Sequence, residues 1–155
     1  MERTSEHRAP WDCVYARGDD QGCQSGKVPD SDDEYFEVLC LCLLQAGLNW
    51  SSVRKHWPRY REGFLSFDIG RLSQATAHEL IERPGAIKNG RKVEAIIHNA
   101  KEFQLLKSEY GSFHAFLESL KPLTEREQIK LLAKHFKQVG LETADYFLHS
   151  IGFWG

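Results

Sequence analysis

Cysteine, methionine and proline are scarce in this 155-residue chain, at four, one and five. The four cysteines, Cys13, Cys23, Cys40 and Cys42, include no CxxC pair and are too few for a disulfide framework. The seven histidines show neither HExxH nor any other paired-ligand spacing, so none is assigned a role. No run approaches the ~18 consecutive apolar residues of a membrane helix, and the opening MERTSEHRAP lacks the apolar core of a secretory signal. These absences predict a cytoplasmic chain with no membrane partner. No stretch alternates apolar and polar residues as a half-buried strand does, and no repeat of solenoid length occurs. A net charge of −2 departs from the plainly basic profile of many nucleic-acid-binding proteins. What is present is ordinary for a globule. With 41% hydrophobic and 27% charged residues, the chain can hold one core in one domain, expected here to act as a monomer.

The charge is unevenly placed. Residues 1–37 carry 4 basic and 10 acidic groups, residues 38–155 carry 16 and 12, and residues 51–101 within them carry 10 and 5. The later part therefore has a basic half that permits a polyanionic partner. Residues 1–30, rich in Gly, Asp, Ser, Arg and Pro without an apolar period, read as an irregular arm, and 31–155 as a helical domain. Ser31-Asp32-Asp33-Glu34, Thr76-Ala77-His78-Glu79 and Thr124-Glu125-Arg126-Glu127 are capping boxes that open helices. Phe36, Leu39, Cys40, Leu43 and Leu44 recur at helical spacing, and Leu41 and Cys42 fill the other face. This predicts a helix buried nearly all round and ended by Gly47. A second helix is expected from Ser51 or Ser52 through Phe64, with Pro58 kinking it or shifting its start. Further helices are expected over about 90–108, from Gly111-Ser112 through Leu120, from Thr124 to Lys137, and from Glu142 to Ser150. The fold class is all-α.

Chemistry concentrates in three segments. Between the last two helices, Val139-Gly140-Leu141-Glu142-Thr143-Ala144 resembles the hairpin of helix-hairpin-helix DNA-binding proteins. Glycine lets the backbone turn sharply and approach a phosphate, and the following helix aims its free N–H groups at the anion. Thr143 can cap that helix or donate to the phosphate. Such a contact fixes position without reading sequence. An ordinary glycine-capped turn between two helices reads the same way. The second segment is Gln45-Ala46-Gly47-Leu48-Asn49-Trp50. The third runs from Gly85 to Ala100 and places Lys88, Arg91 and Lys92 at a helix start. Three cations there oppose the helix dipole, which a phosphate partner would explain. Arg54, Lys55, Arg59 and Arg61, interleaved with Trp57 and Tyr60, suit either a phosphate track or a solvated face. Cys40 and Cys42 read as small packed hydrophobes. Cys13 and Cys23 remain open between free thiols, a mutual pair and metal ligands.

Taken in order and spacing, QAGLNW and the Lys88-Asn89-x-x-Lys92-x-x-Ala95-x-x-x-Asn99-Ala100 pattern resemble the DNA-3-methyladenine glycosylase I family of helix-hairpin-helix glycosylases. Asp32 to Glu37, Tyr60 to Phe64, Phe67-Asp68 and Gly111-Ser112-Phe113 match as well, over roughly residues 28–152. The resemblance implies a monofunctional DNA glycosylase that flips an alkylated purine out of double-stranded DNA and hydrolyses its N-glycosidic bond in base excision repair. A cationic N3-alkyl adenine is already a good leaving group, so the need is a pocket that stacks on the base and hydrogen-bonds its edge. On this reading Trp50, Tyr15, Cys42 and Gln45 form the base pocket. Gly47, Leu48, Lys88, Arg91, Lys92, Gly140 and Thr143 meet DNA, and Glu37 is the surviving candidate catalytic acid. Trp50 as a core residue, Tyr15 as a surface residue and Glu37 as a solvated helix-start acid are the plainer alternatives.

Three departures bear on this. The family has a pocket glutamate where this chain has Cys42, and an apolar-flanked thiol does not replace that charge. The family's zinc takes Cys and His from both termini, and here no Cys or His follows His149, so no cofactor and no metal are expected. The arm differs too, with Tyr15 to Gly22 standing in place of the family's Tyr-His-Asp-x-Glu-Trp-Gly. The alternative function is therefore a catalytically silent DNA-binding helix-hairpin-helix protein. A weaker one is an interaction domain whose acidic first 37 residues cover its basic groove.

Overall fold

A computed structural model describes residues 28–45, 50–84, 87 and 89–154, with the side chains of Trp50 and Ser51 outside this set. Most of the expected arm, including Cys13, Tyr15 and Cys23, lies outside the described residues. Among the described residues there are eight α-helices and no strand: α1 (Asp32–Gln45), α2 (Trp50–Gly63), α3 (Ile69–Ser73), α4 (Ala77–Glu82), α5 (Gly90–Tyr110), α6 (Phe113–Ser119), α7 (Glu125–His135) and α8 (Leu141–Ser150). The all-α expectation holds. No described helix is long and apolar enough to cross a membrane.

Helix α1 is the axle of the fold. Tyr35, Phe36 and every residue from Val38 to Leu44 are buried, and α2, α3, α5, α6 and α8 pack around it. An amphipathic helix covers one stripe, whereas one this apolar is stable only when surrounded. Its acidic first turn joins it to two neighbours. Asp32 Oδ1 accepts the Phe113 N–H at the start of α6 (3.1 Å), and Asp33 Oδ1 accepts the Ile69 N–H at the start of α3 (3.1 Å). Part of the acidity of the early sequence is therefore structural, since carboxylates satisfy helix N-terminal amides. Phe113 lies at the centre of an aromatic cluster, with Tyr35, Phe103, Phe116, Phe136 and Phe147 around it at centroid separations of 4.2–6.2 Å. Each such buried ring contributes roughly 1.5–3 kcal/mol.

The caps behave largely as expected. Thr124 and Glu127 form a reciprocal box, with Glu127 N–H donating to Thr124 Oγ1 (3.2 Å) and Thr124 N–H to Glu127 Oε1 (3.0 Å). At α1, Ser31 Oγ accepts the Glu34 N–H (3.2 Å), but the Glu34 carboxylate reaches one residue further back, to the Asp30 N–H (2.8 Å). Helix α2 differs from expectation. It begins at Trp50, so Ser51 and Ser52 lie in its first turn, and Pro58 sits inside it without shifting the start. The sequence also gave no sign of the segment that follows. Leu65, Ser66 and Phe67 form a 3-10 turn with φ of 58°, 59° and 54°, and α3 comes next. Left-handed geometry is costly for such residues. It is offset where Phe67 becomes fully buried and stacks on Trp57 at 4.9 Å. This is tertiary packing overriding local preference.

Candidate functional site

The first candidate region lies where the C-terminus of α1 meets the N-terminus of α5. Cys42 is 1% exposed within α1, and Gln45 is the half-buried last residue of that helix. Burial, then the Glu37 carboxylate and the neighbouring Cys42, push the Cys40 thiol well above its ordinary pKa. Gly47, Leu48 and Lys88 lie outside the described residues. So does the Trp50 side chain, although its backbone begins α2.

Helix α5 starts with its cations. Asn89 Oδ1 caps it by accepting the Lys92 N–H (3.2 Å), and Arg91 is exposed. The Lys92 ammonium donates to the Leu44 carbonyl in the last turn of α1 (3.3 Å), and burial lowers its pKa. Lys92 thus sits at the positive end of α5 and satisfies the negative end of α1. It also anchors the backbone that leads into Gln45–Trp50.

Glu37 lies between α1 and α2. Its Oε2 accepts the Trp57 indole N–H (2.9 Å) and its Oε1 accepts a hydrogen bond from Arg61. Both carboxylate oxygens brace α1 against α2. The same contact places Arg61 in a brace rather than on a phosphate track. Arg54, Lys55 and Arg59 of the same helix are exposed.

The second region is the hairpin between α7 and α8, and it has the expected form. Phe136 and Val139 plug into the core, while Lys137, Gln138 and Gly140 are exposed. The source of the turn differs from expectation. The left-handed residue is Gln138 (φ 58°), whereas Gly140 has φ −81° and ψ −176°, open to any residue. A Cβ built on Gly140 meets nothing within 4 Å. Neither backbone conformation nor packing inside the protein therefore requires glycine at 140. Gly140 is the N-cap of α8 and provides no side-chain cap, unlike Asp68, Thr76, Asn89, Ser112 and Thr124 at α3 to α7. Thr143 is half-buried in the first turn of α8 and does not occupy the cap position.

One residue of this site escaped sequence reasoning as a functional candidate. Asn99 of α5 is fully buried. Its Oδ1 accepts the Lys137 N–H (2.8 Å) and its Nδ2 donates to the Lys137 carbonyl (3.1 Å). The available signal was an asparagine set among Ile96, Ile97 and Ala100 on an apolar helix face, since a buried amide needs partners. Nearby, His98 is held below its usual pKa by burial and then by Lys137. His135 at the end of α7 donates from Nδ1 to Glu102 Oε2 (2.7 Å), a second tie between α5 and the hairpin arm.

One cleft is acidic. A cavity of about 680 Å³ is lined in part by Asp32, Asp33, Asp68, Gln104 and Lys107. Each of its aspartates accepts a helix-start N–H, from Phe113, Ile69 and Arg71 respectively. These carboxylates are structural, and their sign disfavours a phosphate backbone. Cys13 and Cys23, the N-terminal candidates for the zinc that the resemblance implies, lie outside the described residues. No group of three or more His, Cys, Asp or Glu among the described residues is placed to hold a metal. His149 donates from Nδ1 to the Asp145 carbonyl (3.0 Å), faces the Asp145 carboxylate at 3.0 Å, and lies edge-on to Trp154 at 4.7 Å.

Comparison with known proteins bears on both regions. A family model described as methyladenine glycosylase matches residues 24–152. DNA-3-methyladenine glycosylase of Haemophilus influenzae is 31% identical over 170 aligned positions, covering 94% of this chain and 91% of that protein. Among solved structures, a 3-methyladenine DNA glycosylase I is similar at a TM-score of 0.71 and 26% identity, over 90% of this chain and 92% of that one. The 3-methyladenine DNA glycosylase I of Staphylococcus aureus, solved for the basis of its 3-methyladenine recognition, gives 0.70 and 26% over 81% and 79%.

Proposed function

The chain belongs to the methyladenine glycosylase family, and from that premise we propose how its own residues carry out base excision. It is a DNA glycosylase that removes 3-methyladenine-like alkylated purines by hydrolysis of the N-glycosidic bond. The observation that carries this is the match of the family model through α1 to α8, on a helical scaffold shared with glycosylases of known structure.

Duplex DNA lies across the hairpin. The open amides at the start of α8, beside exposed Lys137 and Gly140, receive a backbone phosphate. The flipped base enters beside the end of α1, where Trp50 stacks on it and Gln45 reaches its edge. Water attacks C1′ of the sugar as the bond from C1′ to the base nitrogen breaks. The bonding electrons leave with the cationic base, which becomes neutral, and the water loses one proton to solvent and keeps the other in the new C1′ hydroxyl. No protein acid is needed for this leaving group, which accords with Glu37 being tied to Trp57 and Arg61. Cys42 brings no carboxylate to the pocket wall. Selection then rests on stacking and on the intrinsic lability of the lesion.

A second reading is a scaffold that binds DNA without turnover. The buried thiol of Cys42, in the position of the family's pocket carboxylate, favours it. Single-turnover release from duplex DNA treated with a methylating agent, with freed bases identified by mass spectrometry, separates the two. Release of 3-methyladenine that is lost in Trp50→Ala supports excision. Release of a different base corrects the substrate. Salt-dependent duplex binding with no release above the Trp50→Ala background establishes the second reading.

A further inference from the structure

We propose that Asn99 is a positioning residue that holds the hairpin in its DNA-binding geometry; this rests on the hairpin's role in the proposed function. Asn99 and Lys92 lie seven residues apart on α5, so they share one face about 10 Å apart along its axis. Each reaches from that face to the backbone of another element. Lys92 holds the Leu44 carbonyl at the end of α1, which leads into the pocket segment, and Asn99 holds both polar groups of Lys137 in the hairpin. One helix therefore ties both the end of α1 and the hairpin.

The hairpin itself makes the anchor necessary. Gln138 stands in the left-handed region, a conformation that a free loop with this residue would seldom keep. It is trapped between two fixed neighbours. Lys137 is clamped by Asn99 through paired hydrogen bonds of 2.8 and 3.1 Å, and Val139 is 5% exposed in the core. Gly140 and the open amides of α8 follow at once. The clamp thus presents those amides in their binding geometry before DNA arrives. Loss of such preorganisation weakens association while leaving the chemical step of bound DNA intact. Asn99 touches neither base nor reacting atoms and acts through the Lys137 backbone.

The test compares Asn99→Ala and Asn99→Asp with Gln128→Ala. Gln128 is a second buried amide, donating to the Leu120 and Leu123 carbonyls (2.9 and 3.1 Å) and accepting the Trp154 indole N–H (2.9 Å). It serves as the control for stability lost at a structural amide. Melting temperature is determined first, and duplex affinity and the DNA-concentration dependence of single-turnover release are measured well below it. The expected result is a tenfold or greater rise in half-saturating DNA for the Asn99 variants. Their saturating rate should stay within twofold, and Gln128→Ala should keep wild-type half-saturation despite a similar drop in melting temperature. Equal half-saturation in wild type and Asn99→Ala, or an equal rise in Gln128→Ala, overturns the proposal. A wild-type chain that binds no duplex overturns instead the reading on which it rests. If the Asn99 variants do not fold, amide hydrogen exchange on the wild type decides. Protection of the Lys137 N–H in the free protein is expected, and exchange at the rate of an open loop overturns the clamp.

Discussion

Gly140→Ala separates a glycine needed by the fold from one needed by a ligand. At φ −81° and ψ −176° alanine is unstrained, and its Cβ meets nothing within 4 Å. The unfolded chain loses freedom on the substitution, so stability should be unchanged or gain about 0.4–1 kcal/mol. If a DNA phosphate sits against this backbone, the new methyl holds it away from the α8 amides. Hydrogen bonds to charged groups contribute about 1.5–3 kcal/mol each, so affinity for duplex DNA should fall about tenfold to 150-fold. No cation is removed, so the slope of log affinity against log salt should stay as in the wild type, since that slope counts the neutralising Lys and Arg. The assay is fluorescence anisotropy with a labelled duplex over a salt series, alongside a melting curve. Wild-type affinity in a well-folded Gly140→Ala protein would refute the placement of DNA at this hairpin. A fall in affinity accompanied by a large drop in melting temperature would refute the structural premise.

Two further predictions concern charged and titrating groups. Glu37→Ala should lower stability by about 1–3 kcal/mol, most of it from the bond to the buried Trp57 indole, because the Arg61 side chain is 43% exposed and its ion pair adds little. Its saturating rate of base release, measured well below melting, should match the wild type; a fall of a hundredfold or more would restore Glu37 to the chemistry. Tyr35 is 2% exposed and pairs with His114 Nδ1 at 2.9 Å, and burial, then Asp32 and Glu118, push its pKa up to about 12. Because the folded value lies above the unfolded one, this stabilisation is complete below pH 10 and is lost as pH rises towards 12. The loss is about 1.4 kcal/mol by pH 11 and about 2.7 kcal/mol in full. Lys92, shifted downward, adds stability as pH rises in the alkaline range, and this cancels when wild type is compared with Tyr35→Phe. Urea unfolding at pH 9 and pH 11 should show the Tyr35 slope in the wild type alone, and parallel losses in both proteins would refute the assignment.

The legible parts of this protein are those governed by short-range rules. Helical apolar spacing from Phe36 to Leu44, with no polar stripe, sufficed to predict a central buried helix. The boxes at Ser31, Thr76 and Thr124 marked three helix starts to within a residue, because a cap joins groups three apart in sequence. The same local patterns carried the family resemblance.

The roles of individual polar residues were not legible, because each depends on a partner brought close only by folding. Glu37 reads as a free helix-start acid until α2 places Trp57 and Arg61 against it. Nothing near Lys92 in sequence shows that α5 crosses the end of α1 and offers it a carbonyl 48 residues away. Gly140 reads as the turn residue until the hairpin places the left-handed conformation at Gln138, held by an asparagine 38 residues before Lys137. The sequence by itself determined an all-helical domain, most helix boundaries and the family. Only the tertiary structure decided which charged and polar groups are tied into the scaffold, because a hydrogen bond across the core is set by where helices cross and leaves no local pattern.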